Sequence, residues 1–259
     1  MTSFPLISVV IPAHNEEAWI EGSVRSVLKQ DDPGAFEVIV VNNGSTDHTA
    51  QVARAAGALV VDEARRGPAA ARNAGVRISK GEIVAFLDAD CVAPSGWLRS
   101  LVEPFHDLDV TGVTGCFHFH DSNHLAHRIM FRLHLGYVEP TLIWFSRKFL
   151  RFTPFSGANF AVRRSAFNRV GGFDESMTFW GEDTYIAHRL AAVGRTRRVP
   201  FRVYSSARRY NEQGLLRPCF IYTINHIWIL VFRRPFSKGF GEQPPPRSRV
   251  NPPPPRGDG

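Results

Sequence analysis

Residues Ala85–Cys91 read AFLDADC, so an apolar run ends on two acids, Asp88 and Asp90, one residue apart. Carboxylates this close repel each other unless a positive charge lies between them. Mg²⁺ and Mn²⁺ take oxygen ligands and keep open positions for phosphate oxygens, so D-x-D at a strand end suits a cation held jointly with a diphosphate. The same stretch also suits a helix cap, with Asp90 or Ser95 accepting free N–H groups of a following helix. A second acidic pair is Glu182-Asp183, where Asp183 would make a good N-cap for a helix expected from Thr184 to Val193. His118, His120, His124 and His127 form a third group with zinc-compatible residue types but no fixed spacing; surface or site-lining histidines are the weightier reading.

Other chemistries are excluded or disfavoured. Neither G-x-G-x-x-G after the first strand nor G-x-x-x-x-G-K-[ST] occurs anywhere, which argues against a dinucleotide oxidoreductase or a phosphate-loop ATPase. Cys91, Cys116 and Cys219 are odd in number, lack metal or redox spacing, and read as reduced thiols. The start, MTSFPLISVVIPA, has no basic residue before its apolar run and is immediately strand-like, so a secretory signal is not expected. The longest apolar candidate, Cys219–Phe232, falls short of the roughly 18 residues needed to span a bilayer. A net charge of +7 and a pI near 9.8 suggest an anionic partner. Arg195, Arg197, Arg198, Arg202, Arg208, Arg209 and Arg217 fall in one stretch where Glu212 is the only acid. A solvated basic face explains that stretch equally well.

The elements that must position these groups alternate over the first half of the chain. Ile7–Ile11 is a β-branched run stopped by Pro12, and Ile20, Val24, Val27 and Leu28 recur at helical spacing. Phe36–Val41, Ala58–Val61 and Ile83–Leu87 are further strands, with helices over Thr49–Ala56 and Pro68–Ile78 between them. Such alternation predicts an α/β fold with a parallel sheet covered by helices. In open sheets of this kind ligands bind beyond the carboxyl ends of the strands, which brings Asn15, Asn42, Asn43, Asp88 and Asp90 to one mouth. The pattern then changes. A helix over Trp97–Phe105, a strand over Val110–Phe119, a strand over Phe155–Arg163 and a short helix to Val170 are expected. Residues 121–152 resist assignment.

Five stretches in order carry a resemblance. They are VVIPAHNEE (Val9–Glu17), VVNNGSTDHT (Val40–Thr49), RGPAAARNAGVRISKGEIVAFLDADC (Arg66–Cys91), SGANFAVRRSAFNRVGGFDE (Ser156–Glu175) and WGEDTYIAHRL (Trp180–Leu190). Together the chain resembles the inverting family-2 glycosyltransferases of the GT-A fold, a nucleotide-binding, mostly parallel sheet flanked by helices with an acceptor-binding C-terminal part. The resemblance implies that Pro12, Asn15 and Glu16 begin the nucleotide pocket. It implies that Asn42 and Asn43 lie beneath base and ribose, Arg72 on the nucleotide side, and Asp88 near the ribose, with Asp90 the direct ligand of Mn²⁺ or Mg²⁺. Gly157, Ala158, Asn159 and Trp180 would approach donor sugar or acceptor. Asp183, with Glu182 as backup, would deprotonate the acceptor hydroxyl. The charge expected between the two acids of D-x-D is then a metal–diphosphate.

These readings give a transferase domain over 1–218, with a donor half to about 119 and an acceptor half from about 120. A possible membrane-surface helix follows over 219–240, apolar with flanking arginines. A Pro-rich tail runs from 241 to 259, seven of the 18 prolines lying beyond Gln243. The expected partners are a nucleotide-diphosphate sugar and a glycan, lipid-linked or small-alcohol acceptor, with no nucleic acid. The expected place is the cytoplasm, peripheral to its membrane face, in cell-envelope glycan or glycolipid synthesis. Two alternatives stay open. A sugar-nucleotide pyrophosphorylase would want a Gly-rich, Lys-containing loop that PAHNEE lacks. A non-catalytic nucleotide-sugar or membrane-binding module would not need Asp88, Asp90 and Asp183 together.

Overall fold

Short β-branched and aromatic runs supply the strands of a single eight-stranded sheet. The computed structural model describes residues 6–31, 34–119, 133–177 and 181–208, together with 223–225, 227, 228 and 232. The strands are β1 (Ile7–Ala13), β2 (Phe36–Asn42), β3 (Leu59–Asp62), β4 (Ile83–Leu87), β5 (Cys91–Val92), β6 (Val110–Phe119), β7 (Asn159–Arg163) and β8 (Arg195–Ser205). The helices are α1 (Ile20–Leu28), α2 (Thr49–Ala55), α3 (Pro68–Ile78), α4 (Trp97–Val102), α5 (Glu139–Phe149), α6 (Arg164–Arg169) and α7 (Glu182–Ala191).

The spatial order is β3-β2-β1-β4-β7-β6-β8-β5. Strands β1 to β4 pair in parallel, as the alternation predicts. The direction reverses at β7, which runs antiparallel to both β4 and β6. β8 then lies parallel to β6, and the two-residue β5 pairs antiparallel with its end, Cys91 opposite Ser205.

Successive side chains on a strand point to opposite faces, and each face has its own core. On one side Val9, Ile11, Val38, Val40, Ala85 and Leu87 pack with Val24 of α1, Ala53 of α2 and Trp97 and Leu98 of α4. On the other, Val10, Ile39, Val41, Val84 and Phe86 meet Ala71 and Ala74 of α3 and Ile186 and Leu190 of α7. Burial on both faces explains why the parallel strands read as continuous apolar runs.

Several boundaries differ from expectation. β1 runs through Pro12 to Ala13. The N–H of Ile7 and the carbonyl of Ala13 point to the β2 side, so by alternation Pro12 faces β4, whose pairing with β1 ends at Val10. The missing N–H of Pro12 therefore removes no ladder bond. The expected Trp97–Phe105 helix is α4 followed by a 3₁₀ turn over Glu103–His106. The Phe155–Arg163 strand begins only at Asn159. α7 starts two residues early, at Glu182, with Gly181 at its N-cap (φ 93°), so Asp183 lies inside the first turn and is not the cap.

The arginine stretch is not the unopposed patch that its local sequence suggests. Arg195 bonds Asp107 and Asp109 at 2.8 and 3.3 Å, and Arg197 bonds Asp107 at 2.9 Å. Arg209 and Arg217, the tail and most of 219–240 lie outside the described residues.

Candidate active site

The D-x-D pair sits where predicted, just past the carboxyl end of β4. The chain turns there, with the N–H of Cys91 donating to the carbonyl of Asp88 at 3.0 Å. β5 then pins the turn to the end of β8. Each acid faces a guanidinium. Arg72 Nη2 donates to Asp88 Oδ1 at 3.1 Å, and Arg208 Nη2 donates to Asp90 Oδ2 at 3.0 Å. The charge opposing D-x-D in this structure is thus a pair of arginines, where the sequence reading expects a metal–diphosphate.

Arg72 organises the first cluster. It comes from α3, is 3% exposed, and spans three elements. Nη1 donates to Glu182 Oε1 at 2.7 Å, while Nη2 also donates to the carbonyl of Gly157 at 3.1 Å. Burial works against its charge, but Glu182 and Asp88 outweigh that effect and its pKa is raised.

Asp183 stands beside this network. Its Oδ1 accepts the Thr184 N–H at 2.7 Å, and its carboxylate also accepts from the Gly157 backbone. Burial first, and the neighbouring Glu182 charge second, push its pKa from 3.8 to about 7, against the pull of Arg72 and the two backbone donors. A carboxyl poised there is suited to take a proton near neutral pH. Gly157 is small for a reason: a Cβ on it would lie 3.2 Å from Asp183 Oδ2 and 3.4 Å from Arg72 Nη2.

The second cluster joins residues far apart in the chain. Arg208 Nη2 reaches both oxygens of buried Glu16 at 2.7 Å, across 192 residues, as well as Asp90. Its guanidinium lies 5.2 Å from the Trp19 ring centroid. Trp19 is not singled out in the sequence, and Arg208 enters there only as one of seven arginines in a basic stretch.

The nucleotide-side residues gather at the ends of β1 and β2. Pro12 is the penultimate residue of β1, and Asn15 takes a left-handed backbone (φ 56°), a conformation asparagine tolerates well. Asn15 is tied to the next loop, its N–H donating to Ser45 Oγ and its Oδ1 accepting from Thr46 N–H. Asn42 Nδ2 donates to Asp62 Oδ1 at 2.6 Å, which brings an acid to β2 that the sequence reading does not include. Asn43 is a buried clamp: it donates to the carbonyls of Glu63 and Arg65 and accepts from Gly67 N–H.

Asn159 does not stand with Gly157 and Ala158 as a sugar contact. It is fully buried, accepting from Trp97 Nε1 at 2.8 Å and donating to the Cys116 carbonyl at 2.7 Å, so its amide points into the core. Gly157 meets Arg72 and Asp183, and Ala158 packs against the first core. Trp180 lies outside the described residues, as do His120, His124 and His127; His118 is exposed on β6.

The donor set at β4 fits Mn²⁺ or Mg²⁺, because both side chains are hard carboxylates with part of their surface open. Among the described residues no three His, Cys, Asp or Glu side chains group to hold a metal by themselves. A cation at Asp88 and Asp90 would complete its shell with phosphate oxygens and water, the usual arrangement for these ions.

Comparison with known proteins places this geometry among relatives. The family model described as "Glycosyl transferase family 2" matches residues 8–171, and the model described as "N-terminal domain of galactosyltransferase" matches 145–212. Glycosyltransferase AglE of Haloferax volcanii is 37% identical over 127 residues, 46% of this chain and 42% of that protein. Validoxylamine A glucosyltransferase of Streptomyces hygroscopicus subsp. limoneus is 28% identical over 221 residues, 73% of this chain and 49% of that protein. The chain thus spans less than half the length of these curated relatives. Among solved structures, mannosyltransferase PcManGT from Pyrobaculum calidifontis in complex with GDP-Man and Mn²⁺ matches with a TM-score of 0.68 and 26% identity, covering 95% of this chain and 67% of that one. Glucosyl-3-phosphoglycerate synthase from Mycobacterium tuberculosis, TM-score 0.61 at 23% identity over 88% of this chain and 78% of that one, shares the fold.

Proposed function

Because this chain belongs to glycosyl transferase family 2, we propose that it is a metal-dependent, inverting glycosyltransferase that moves a sugar from a nucleotide-diphosphate sugar to an acceptor hydroxyl. The observation that carries this reading is one continuous network from Asp88 through Arg72 and Glu182 to the vicinity of Asp183, whose pKa is raised to about 7. A proton acceptor is thereby fixed relative to the acids that would face the donor diphosphate.

In this reaction Asp183 takes the proton of the acceptor hydroxyl as its oxygen bonds the anomeric carbon. The bond from that carbon to the diphosphate oxygen breaks, the departing nucleoside diphosphate keeps the electron pair, and attack from the opposite face inverts the carbon. Glu182, held by Arg72, keeps a negative charge beside Asp183 and so keeps it basic. Arg72 holds the Gly157 carbonyl, which fixes the backbone against which Asp183 sits. Asn73 secures the same side by exchanging hydrogen bonds with the Phe173 backbone and donating to Glu175. Asn15, Asn42 and Asn43 order the loops of the nucleotide side. Asp90 and Asp88 would hold Mn²⁺ or Mg²⁺, which when bound would neutralise charge on the leaving diphosphate.

Among acceptors, a lipid-linked one at an anionic membrane surface in envelope glycan synthesis is supported by the exposed aromatics Trp144, Phe145 and Phe149 on α5, next to Arg147, Lys148 and Arg151. Among the described residues no helix is long and apolar enough to cross a membrane.

A thermal-shift panel of UDP, GDP, dTDP and CDP, each with and without Mn²⁺, tests the proposal. A ligand at about 100 times its dissociation constant stabilises by about 2.7 kcal/mol. Metal-dependent stabilisation by one nucleotide, with donor turnover lost in Asp183→Asn, is the expected result. No shift with any nucleotide in folded protein would overturn it.

A further inference from the structure

Arg208 is bonded in a lopsided way that the transfer reaction does not explain. One terminal nitrogen, Nη2, serves both oxygens of Glu16 and Oδ2 of Asp90. The other, Nη1, is buried and has no hydrogen-bond partner among the described residues. A buried guanidinium nitrogen without an acceptor is costly, and guanidinium geometry favours bidentate binding of carboxylate or phosphate. The side chain sits over Trp19 and directly on Asp90, the acid that would ligate the divalent cation. It also lies just beyond β8, on the stretch that β5 pins beside the D-x-D turn.

We propose that Arg208 is an exchangeable counter-ion of the donor site: in the chain alone it holds the cation position between Glu16 and Asp90, and it gives up Asp90 to the divalent metal when a nucleoside diphosphate arrives to receive its unpartnered nitrogen. The proposal rests on the metal-dependent reading above. It makes metal and nucleotide binding mutually dependent. Mn²⁺ alone meets a carboxylate already engaged, while metal and diphosphate together supply Asp90 with a new cation and Arg208 with a new anion. An acid engaged in nine molecules out of ten lowers the apparent affinity for metal alone by about tenfold.

The test is calorimetric titration of the purified full chain with Mn²⁺ alone, then with Mn²⁺ in the presence of whichever nucleoside diphosphate gives the largest thermal shift. Arg208→Gln is expected to bind Mn²⁺ alone about tenfold more tightly than the wild type, and to lose most of the enhancement that nucleotide confers. Arg202→Gln removes one positive charge from β8 without vacating Asp90, and its Mn²⁺ affinity stays within about twofold of wild type if occupancy, not bulk charge, is the cause. Should Arg208→Gln fail to fold, Trp19→Leu leaves every carboxylate in place and removes the ring beneath the guanidinium; it binds Mn²⁺ alone about threefold more tightly. If wild type binds Mn²⁺ with nucleotide but neither variant gains affinity for metal alone, the counter-ion role is overturned and the metal-dependent reading survives. An equal gain in Arg202→Gln overturns it as well. If no protein binds Mn²⁺ even with nucleotide, both ideas fall together.

Discussion

Asp183→Asn should stabilise the protein while abolishing its activity, and the two effects should separate with pH. The folded state raises the Asp183 pKa from 3.8 to about 7, chiefly by burial and by the Glu182 charge. A group whose folded pKa is raised binds its proton more tightly in the native state. Its stabilising contribution is complete below about pH 4 and is lost as pH rises through about 7. A tenfold change in proton affinity is worth about 1.4 kcal/mol, so ionising Asp183 in the folded protein costs at most about 4 kcal/mol. Asparagine cannot ionise, and its Oδ1 can still accept the Thr184 N–H. Urea unfolding at pH 5 and pH 8 reads the effect. The variant should gain about 1–4 kcal/mol over wild type at pH 8 and much less at pH 5. In thermal melts each kcal/mol is worth about 2–4 °C for a domain of this size. Transfer activity should meanwhile fall by about 10²–10⁴, the usual contribution of a general base. A gap that does not change with pH, or a variant less stable than wild type at pH 8, would refute the claim that burial and Glu182 hold this carboxyl high.

Further outcomes follow from the same geometry. Arg72→Met leaves Glu182 buried without its partner and should cost about 3–5 kcal/mol in urea unfolding; because Arg72 lowers the Asp183 pKa, any residual activity should rise with pH later than in wild type. Gly157→Ala places a methyl 3.2 Å from Asp183 Oδ2 and should lower kcat by about tenfold with little change in melting temperature. Gly115→Ala drives its methyl to 2.1 Å from Asn159 Nδ2 and 2.7 Å from the Phe201 carbonyl. It should destabilise by about 3 kcal/mol in chemical unfolding, without altering the pH profile of the remaining activity.

The D-x-D turn was legible because its signal is local: an apolar strand must end where acids begin, and the fold class sends strand ends to the ligand. Asp183 was legible as an acid at a helix start, although the helix begins at Glu182 behind a left-handed Gly181. What could not be read is who faces whom across the sheet. Arg72 meets Glu182 across 110 residues and Arg208 meets Glu16 across 192, pairings set by the order in which strands return to the sheet. Asn159 misled for a related reason. Gly157, two residues earlier, meets Arg72 and Asp183, but the first residue of β7 turns its amide toward Trp97 and Cys116. The arginines of β8 looked unopposed because Asp107 and Asp109 approach them from another part of the chain.

Where β7 joins the sheet, the chain returns from a long excursion that leaves at Phe119, the end of β6. The returning strand is anchored by its own pairing, Asn159 opposite Leu87 and Phe160 opposite Thr114, and by its approach, where Phe155 stacks on Phe160 and the Thr153 N–H donates to Thr196 Oγ1. Doubling the length of such a connection adds only about 0.6 kcal/mol of closure entropy. Lengthening the connection upstream of Phe152 is therefore cheap, provided that Phe152 and Phe155 keep their places in the second core, and Gly157 would still deliver the same backbone to Arg72 and Asp183.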